Sequence, residues 1–426
     1  MKTVALIGYG YWGPNLLRNY MDIPDVKLKW VCDLRPEVLD KARRRYPTLR
    51  TTTSVDDVLR DPEVDSVLIA TPIGTHYHLS KQALLAAKHV FVEKPLTSSA
   101  EQCVDLTALA AERNLTLMVG HTFIYSPPVR KIKDLIDAGE LGEVRFVTMQ
   151  RVNLGLHQKD ASVIWDLAAH DISILDYWLG EMPSVVGSMG RDCMRVGIPD
   201  VAFLNLQYRC GVVAHINVSW LSPVKLRDTV VVGSRKMLVY DDTAPVEKVK
   251  VFDQGADFKE PESFAEFQMV YRTGDIVSPK IENAEPLRVE AEHFLHCMRT
   301  GGRPVTDGEM GLRVVAALAA ADASLREGAR KAVERRCRPD RRVLVVAARE
   351  AADLSLQEGT GNTVERLERR RRPDRRLRVV AALETADFST RDETREASER
   401  AERRHGTDRR AADALAEVAA LAEEPG

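Results

Sequence analysis

The sequence lacks paired cysteines, a charge bias and any long apolar run. Its six cysteines, Cys32, Cys103, Cys193, Cys210, Cys297 and Cys337, are scattered, with no C-x-x-C pair and no His/Cys cluster. That excludes a zinc-ligand spacing, and the thiols read as buried groups in a reducing cytoplasm. Formal net charge is −2, with 61 Lys and Arg against 63 Asp and Glu. Nothing at whole-chain level marks a nucleic acid or an anionic membrane as a partner. No apolar run approaches a membrane span. Met1-Lys-Thr3 leads straight into a strand pattern, which leaves no room for a signal peptide. A cytoplasmic protein is expected. At 426 residues the chain is long enough for two domains and an appendage.

What is present is organised around Val4-Ala-Leu-Ile-Gly-Tyr-Gly-Tyr-Trp-Gly13. Four apolar residues read as a buried parallel strand. Gly8-x-Gly10-x-x-Gly13 follows, and then a helical stretch from Asn15. Gly8 makes the tight turn, Gly10 lets the backbone approach a pyrophosphate, and Gly13 lets the helix lie on the strand. A second strand pattern, Val26–Cys32, ends in Asp33, placed to accept both ribose hydroxyls of an adenosine. Asp33 favours NAD, since it repels the 2′-phosphate of NADP, and Arg35 keeps NADP as the alternative.

Strand and helix patterns alternate up to about residue 120, the rhythm of a doubly wound parallel sheet. Strands end near Cys32, Ala70, Val92 and Val119, with helices over 36–46, 55–60, 76–87 and 100–113. Ligands sit outside the carboxyl ends of such strands. Three polar stretches fall there: Thr71-Pro72 to His76, Glu93-Lys94-Pro95, and Gly120-His121-Thr122. Thr97-Ser-Ser99 reads as a helix cap. Lys94 follows an apolar strand and precedes a proline, so it projects into the cleft, where an ammonium can hold a substrate hydroxyl.

The pattern changes after 125. A helix over 127–139 and a strand over 143–153 precede Trp165-Asp166-Leu-Ala-Ala-His170-Asp171. On a helix Asp166 and His170 are four apart, so they share a face, and the carboxylate can fix the imidazole for acid–base work. Short alternating runs from 184 to 251 then read as an antiparallel sheet, followed by helices over 286–300 and 308–326. Arg151 and Asn153 end a strand near the cleft and are candidates for holding a sugar carboxylate or phosphate, against the reading of edge-strand polar residues.

These motifs, with Pro286-Leu, Glu290 and His293-Phe294, resemble the glucose–fructose oxidoreductase/inositol dehydrogenase/MocA (Gfo/Idh/MocA) family over roughly 1–330. Tyr11-Trp-Gly-Pro-Asn-Leu16, Trp165–Asp171 and Ser219–Arg227 are most similar to its bacterial members acting on nucleotide-linked sugars, of the UDP-N-acetylglucosaminuronate 3-dehydrogenase type. The resemblance implies a Rossmann domain (1–122), an α+β domain with a large open, mostly antiparallel sheet (123–330), and a helical tail (331–426). It implies an NAD-dependent hydride transfer at a sugar secondary alcohol, C3 of a nucleotide-linked hexose or hexuronic acid. The alternatives are an inositol or free-polyol dehydrogenase and a sugar-sensing regulator that binds NAD. Lys94, Asp166 and His170 then surround the carbinol, with Lys94 or His170 as base and Asp166 orienting His170. Cofactor positions are Gly8, Tyr9, Gly10, Tyr11, Trp12, Gly13, Asp33, Thr71, Pro72, His76, Glu93 and Lys94. Substrate positions are His121, Tyr125, Arg151, Asn153 and Asp171. No metal is expected. The open sheet face is expected to pack on another subunit in a homodimer or homotetramer. Where many members carry Asn or Tyr with Arg, this chain has Gly120-His-Thr-Phe-Ile-Tyr125.

Beyond the resemblance the chain repeats itself. Val314-Val-Ala-Ala with Asp322 recurs as Val345-Val-Ala-Ala with Asp353 and as Val379-Val-Ala-Ala with Asp387. This reads as partial duplication of the terminal helix. The Arg-rich stretches between, such as Arg369–Arg372, read as solvated linkers, because acids are interleaved and no aromatic platform accompanies them.

Overall fold

A parallel sheet forms the first half of the chain in this computed structural model, which describes residues 1–155, 161–258 and 269–337. Its strands are β1 (Lys2–Ile7), β2 (Val26–Cys32), β3 (Arg50–Thr52), β4 (Ser66–Ile69), β5 (His89–Glu93) and β6 (Leu117–Gly120), in the order β3-β2-β1-β4-β5-β6. Val4, Ala5 and Leu6 are fully buried, as are Val90, Phe91 and Val92, which is why both segments read as unbroken apolar runs. The connecting helices are α1 (Gly13–Met21), α2 (Pro36–Arg45), α3 (Val55–Leu59), α4 (Ile73–Leu85) and α5 (Ala100–Glu112). Ser99 caps α5, its Oγ accepting from the Gln102 amide at 3.3 Å. The strand order reverses between β1 and β4. That places Gly8, Thr71 and Lys94 around one crevice at the carboxyl ends.

The second half opens with α6 (Pro127–Asp137), β7 (Val144–Leu154) and α7 (Ala169–Leu179). Seven more strands follow: β8 (Val185–Arg191), β9 (Val201–Gln207), β10 (Val213–Ser219), β11 (Leu221–Gly233), β12 (Met237–Asp241), β13 (Val249–Phe258) and β14 (Met269–Val277). The sheet order is β14-β13-β12-β11-β7-β10-β9-β8. Only β7 and β10 pair in parallel; the other pairs are antiparallel. One face buries Ala202, Leu204, Leu206, Ala214, Ile216 and Val218 in a cluster with Ile172, Leu175 and Trp178 of α7. Truncating one of these, as in Leu204→Ala, costs roughly 2–5 kcal/mol. The other face leaves Phe146, Phe203, Val213 and Met189 exposed. Two last helices, α8 (Pro286–Thr300) and α9 (Gly308–Cys337), follow. Arg18 and Asn19 of α1 both bond the Glu285 carboxylate ahead of α8.

Three expectations change. Cys193 and Cys210 are exposed, because they sit in turns beside β8 and β10 and not in the core; Cys32, Cys103 and Cys297 are buried. The last helix runs on to Cys337, well past Arg326. β3 and β14 are additional strands, too short or too polar to show a period. The recurrences around Asp353 and Asp387, and the arginines at 369–372, lie outside the described residues.

Candidate active site

Two glycines of the first loop stand where a side chain cannot fit. Gly8 has φ +97°, and a Cβ there lies 2.5 Å from the Ala70 carbonyl oxygen. At Gly13 a Cβ lies 2.3 Å from the Gly8 oxygen. Gly10 is open, its nearest heavy atom being Arg35 Nη2 at 3.8 Å. α1 begins at Gly13 with no acidic residue in its first turn, so its amides and dipole face the crevice unopposed. This cradle fits a dinucleotide pyrophosphate. Tyr9 is buried, whereas Tyr11 stands out in solvent. Asp33 accepts from the Tyr9 amide at 2.8 Å and pairs with Arg35, whose Nε is 3.0 Å from Oδ1. Burial pushes the Asp33 carboxyl up, but these bonds outweigh it and hold it below the usual range. Asp33 therefore arrives charged and pre-oriented for a ribose.

His76 does not face the crevice. It is 1% exposed and bridges two loops, with Nδ1 2.9 Å from the Pro95 carbonyl and Nε2 2.8 Å from that of Thr71. The helix begins at Ile73, so His76 lies inside its first turns and not at its start. His76 ties the loop after β4, at Thr71, to the loop after β5, at Pro95.

Lys94, at the end of β5, reaches the second half. Its Nζ donates to Asp166 Oδ1 at 3.1 Å and to the Asp166 carbonyl at 2.7 Å. Asp166 sits in a π-helical turn, Ile164–Ala168, directly before α7. Such turns recur at functional sites. Its other oxygen accepts from Trp220 Nε1 at 3.1 Å. The expected Asp166–His170 hydrogen bond is therefore not formed: both carboxylate oxygens are held by Lys94 and Trp220, and His170 Nδ1 has no partner. A charged ammonium and an indole N–H outcompete an imidazole that the site keeps neutral. Burial, reinforced by Lys94 and Arg151, pushes the His170 pKa well below its usual value. Its ring meets Phe123 edge-on at 4.8 Å.

Beneath these groups lies a buried polar layer. Burial pushes Glu93 up to about 7, against the pull of Lys94. Glu290 on α8 is raised further by burial and by Glu93, although Thr122 Oγ1 donates to it at 2.9 Å. His121 is wholly buried with both ring nitrogens unpartnered, and burial pushes it down to about 3. Tyr125 is wholly buried and its hydroxyl pairs with Thr306 Oγ1 at 3.0 Å. His121 and Tyr125 thus belong to the interior under the cleft rather than to its surface. The short helical turn Thr122–Tyr125 folds them inward.

Arg151 and Asp171 form a buried bidentate pair, with Nη2 2.7 Å and Nε 3.0 Å from Oδ1. Asp171 is thereby a partner of Arg151 and not a free substrate contact. Asn153 is half-buried beside Gly155. Trp220, Glu290 and Arg227 carry no site role in the sequence reading. Their signal was membership of the stretches that carry the family resemblance, Glu290 with His293-Phe294, and Trp220 and Arg227 within Ser219–Arg227.

Residues 2–121 match the family model for the oxidoreductase family, NAD-binding Rossmann fold, and residues 129–239 that for the GFO/IDH/MocA C-terminal domain. The chain belongs to the Gfo/Idh/MocA family. It is an NAD-binding oxidoreductase of that family. Scyllo-inositol 2-dehydrogenase (NAD(+)) of Bacillus subtilis is 25% identical, the match covering 76% of this chain and 94% of that protein. The 2,7-anhydro-N-acetylneuraminate hydratase of Escherichia coli is 28% identical over 50% of this chain, which spans 60% of that relative's length. Among solved structures, UDP-N-acetylglucosamine 3-dehydrogenase GnnA from Acidithiobacillus ferrooxidans is 25% identical, with TM-score 0.64, covering 76% of this chain and 97% of that one. Among the described residues no helix is long and apolar enough to cross a membrane.

Proposed function

We propose that the protein reversibly oxidises a secondary alcohol of a sugar, C3 of a nucleotide-linked hexose or hexuronic acid. The observation that carries this is the convergence of Lys94, Asp166 and His170 beside the Gly8–Gly13 cradle. NAD, held by Gly8, Gly10, Gly13 and Asp33, supplies a hydride acceptor when bound. His170 is the base in this reading: burial and Lys94 lower its pKa, so its imidazole stands unprotonated and can take the hydroxyl proton as the carbinol becomes a carbonyl. Lys94 holds the alcohol oxygen. Asp166 and Trp220 fix the ammonium in place, so the donor is oriented before the substrate arrives.

The sugar reading draws on the likeness to a UDP-N-acetylglucosamine 3-dehydrogenase. The match to a scyllo-inositol dehydrogenase over nearly its whole length favours a second reading, a free polyol as substrate. The domain division at about 122 and 330 belongs to the same proposal. So does a cytoplasmic homodimer or homotetramer built on the sheet face that exposes Phe146, Phe203 and Val213. An NAD-reduction screen over nucleotide sugars and free polyols tests the activity. Reduction with inositols alone would select the second reading, and no reduction with any member would overturn both.

A further inference from the structure

Arg151 on β7 and Arg227 on β11 are direct register partners in the sheet. Two like charges opposite each other across neighbouring strands are unfavourable unless something compensates. Here both guanidinium groups lie over the Phe123 ring, Arg151 at 4.4 Å and Arg227 at 5.4 Å from its centroid. The edge of that same ring meets His170. The pair therefore stands one aromatic ring away from the proposed base.

The protein's own carboxylates leave the cluster incomplete. Asp171 takes Nε and Nη2 of Arg151, whose Nη1 is buried with no hydrogen-bond partner. Asp242 takes Nη1 of Arg227 at 3.0 Å, and also faces Lys248 at 3.8 Å and the Tyr240 hydroxyl at 2.9 Å. Arg151, Arg227 and Lys248 thus face Asp171 and Asp242: three cations against two anions. No described protein group accepts from Nε or Nη2 of Arg227, and its side chain is 33% exposed. Nε and Nη2 form the planar fork that suits an oxyanion bidentately.

We propose that Arg227, backed by Arg151 across Phe123, binds an anionic oxygen group of the substrate, a carboxylate or a phosphate. This rests on the sugar oxidoreductase reading and deepens it: the substrate is a charged sugar, not a neutral one. A neutral polyol leaves the surplus guanidinium edge to water.

The test uses the full-length protein saturated with NADH and three simple probes: D-glucuronate, glucose 1-phosphate and D-glucose. Affinities are measured calorimetrically for wild type, Arg227→Gln and Arg227→Lys, with the melting temperature of each variant as a check on folding. One charged contact predicts at least about tenfold tighter binding of an anionic probe than of glucose. Arg227→Gln should remove that preference and Arg227→Lys should retain part of it, with glucose binding unchanged. Preference for glucuronate identifies a carboxylate, and preference for glucose 1-phosphate a phosphate. Equal binding of all three by wild type, or a preference that survives in Arg227→Gln, overturns the proposal. None of these readouts needs turnover, so failure of the redox reading would show separately, as absence of NAD reduction.

Discussion

Lys94 bonds the same residue twice, taking both a carboxylate oxygen and the main-chain carbonyl of Asp166, 72 positions along the chain. A strand end of the first sheet is thereby tied to the π turn that launches α7. The Lys94 ammonium, carried by the first half of the chain, is held by the second. A residue fixed in this way resists the rotamer disorder that a lysine otherwise brings to a cleft.

That arrangement predicts unequal effects around the site. Lys94→Ala and His170→Ala should each lower turnover at least about a hundredfold, the usual scale for acid–base groups. Asp166→Asn keeps an acceptor for Trp220 but loses the ion pair, and should lower turnover by roughly ten- to a hundredfold. NADH affinity, measured by fluorescence, should stay within about threefold in all three, since none lies in the phosphate cradle. Near-normal turnover in Lys94→Ala and His170→Ala together would show the assignment to be wrong.

The pH–rate profile follows from His170. Its folded pKa is depressed by burial and by Lys94, so the neutral, proton-accepting form prevails at pH 6.5 and above. The acidic limb of kcat/KM should therefore fall well below pH 6.5, where an ordinary histidine would place it. A limb centred at 6.5, lost in His170→Ala, would mean a solvent-exposed imidazole instead.

Much of this was legible in the sequence, and unevenly. The Rossmann half was readable because parallel strands buried on both faces are unbroken apolar runs, and because two glycines of the loop answer to steric contacts, Gly8 to the Ala70 carbonyl and Gly13 to that of Gly8. The open sheet was readable from alternation along strands such as Val201–Gln207, but not its order, since the β7–β10 parallel pairing joins strands separated by a helix and two strands. The site was legible as a set of residues but not as a set of bonds. Asp166 and His170 look paired at spacing four. The competing donors, Lys94 and Trp220, come from 72 positions before and 54 after. His121 and Tyr125 look like cleft residues because they follow a strand end, and only the turn at Thr122 shows that they point inward.

Cofactor choice turns on Asp33. Its carboxylate is charged, oriented by the Tyr9 amide, and close to where a ribose 2′ position falls in this fold. NADH should bind more tightly than NADPH in parallel fluorescence titrations. Asp33→Ala frees Arg35 from its ion pair and should narrow or invert that preference. Tighter binding of NADPH by the wild type would overturn the reading.

The buried carboxyls contribute a part of the stability that falls with rising pH. Glu93 has a folded pKa raised from 4.5 to about 7, so the folded state binds the proton more tightly than the unfolded chain. The stabilisation is complete below pH 4.5 and is lost as pH rises to about 7; Glu290, raised well above its ordinary value by burial and by Glu93, adds a loss of the same sign. At ~1.4 kcal/mol per pKa unit, Glu93 alone contributes about 3 kcal/mol over this window. His121 and His170, depressed in the fold, pull the opposite way up to pH 6.5, so the carboxyl contribution is read as a difference: between pH 5 and 8 the urea midpoint of the cofactor-free Glu290→Gln protein should gain on that of the wild type. Glu290→Gln should make that contribution less steep, because it removes one of the two raised carboxyls. An unchanged slope in Glu290→Gln would show that the two carboxyls do not titrate together.

The last prediction concerns where the working unit ends. Every residue placed in the cradle or around Lys94 lies before α9, and α9 itself contributes structure. Arg313 holds Asp176 of α7 through two bonds, at 2.8 and 2.7 Å, and Asp322 accepts from Trp165 Nε1 at 3.2 Å. Trp165 precedes Asp166, so loss of α9 would loosen the turn that holds Lys94. The segments after Cys337 repeat the Val-Val-Ala-Ala pattern of α9 but none of the cleft residues. A chain stopped after Cys337 should therefore bind NADH and turn over substrate within about twofold of the full chain, whereas one stopped before Gly308 should lose turnover and much of its stability. Loss of NADH binding in a folded protein ending at Cys337 would mean that the repeated segments complete the core, and that the unit carrying the chemistry is longer than its motifs suggest.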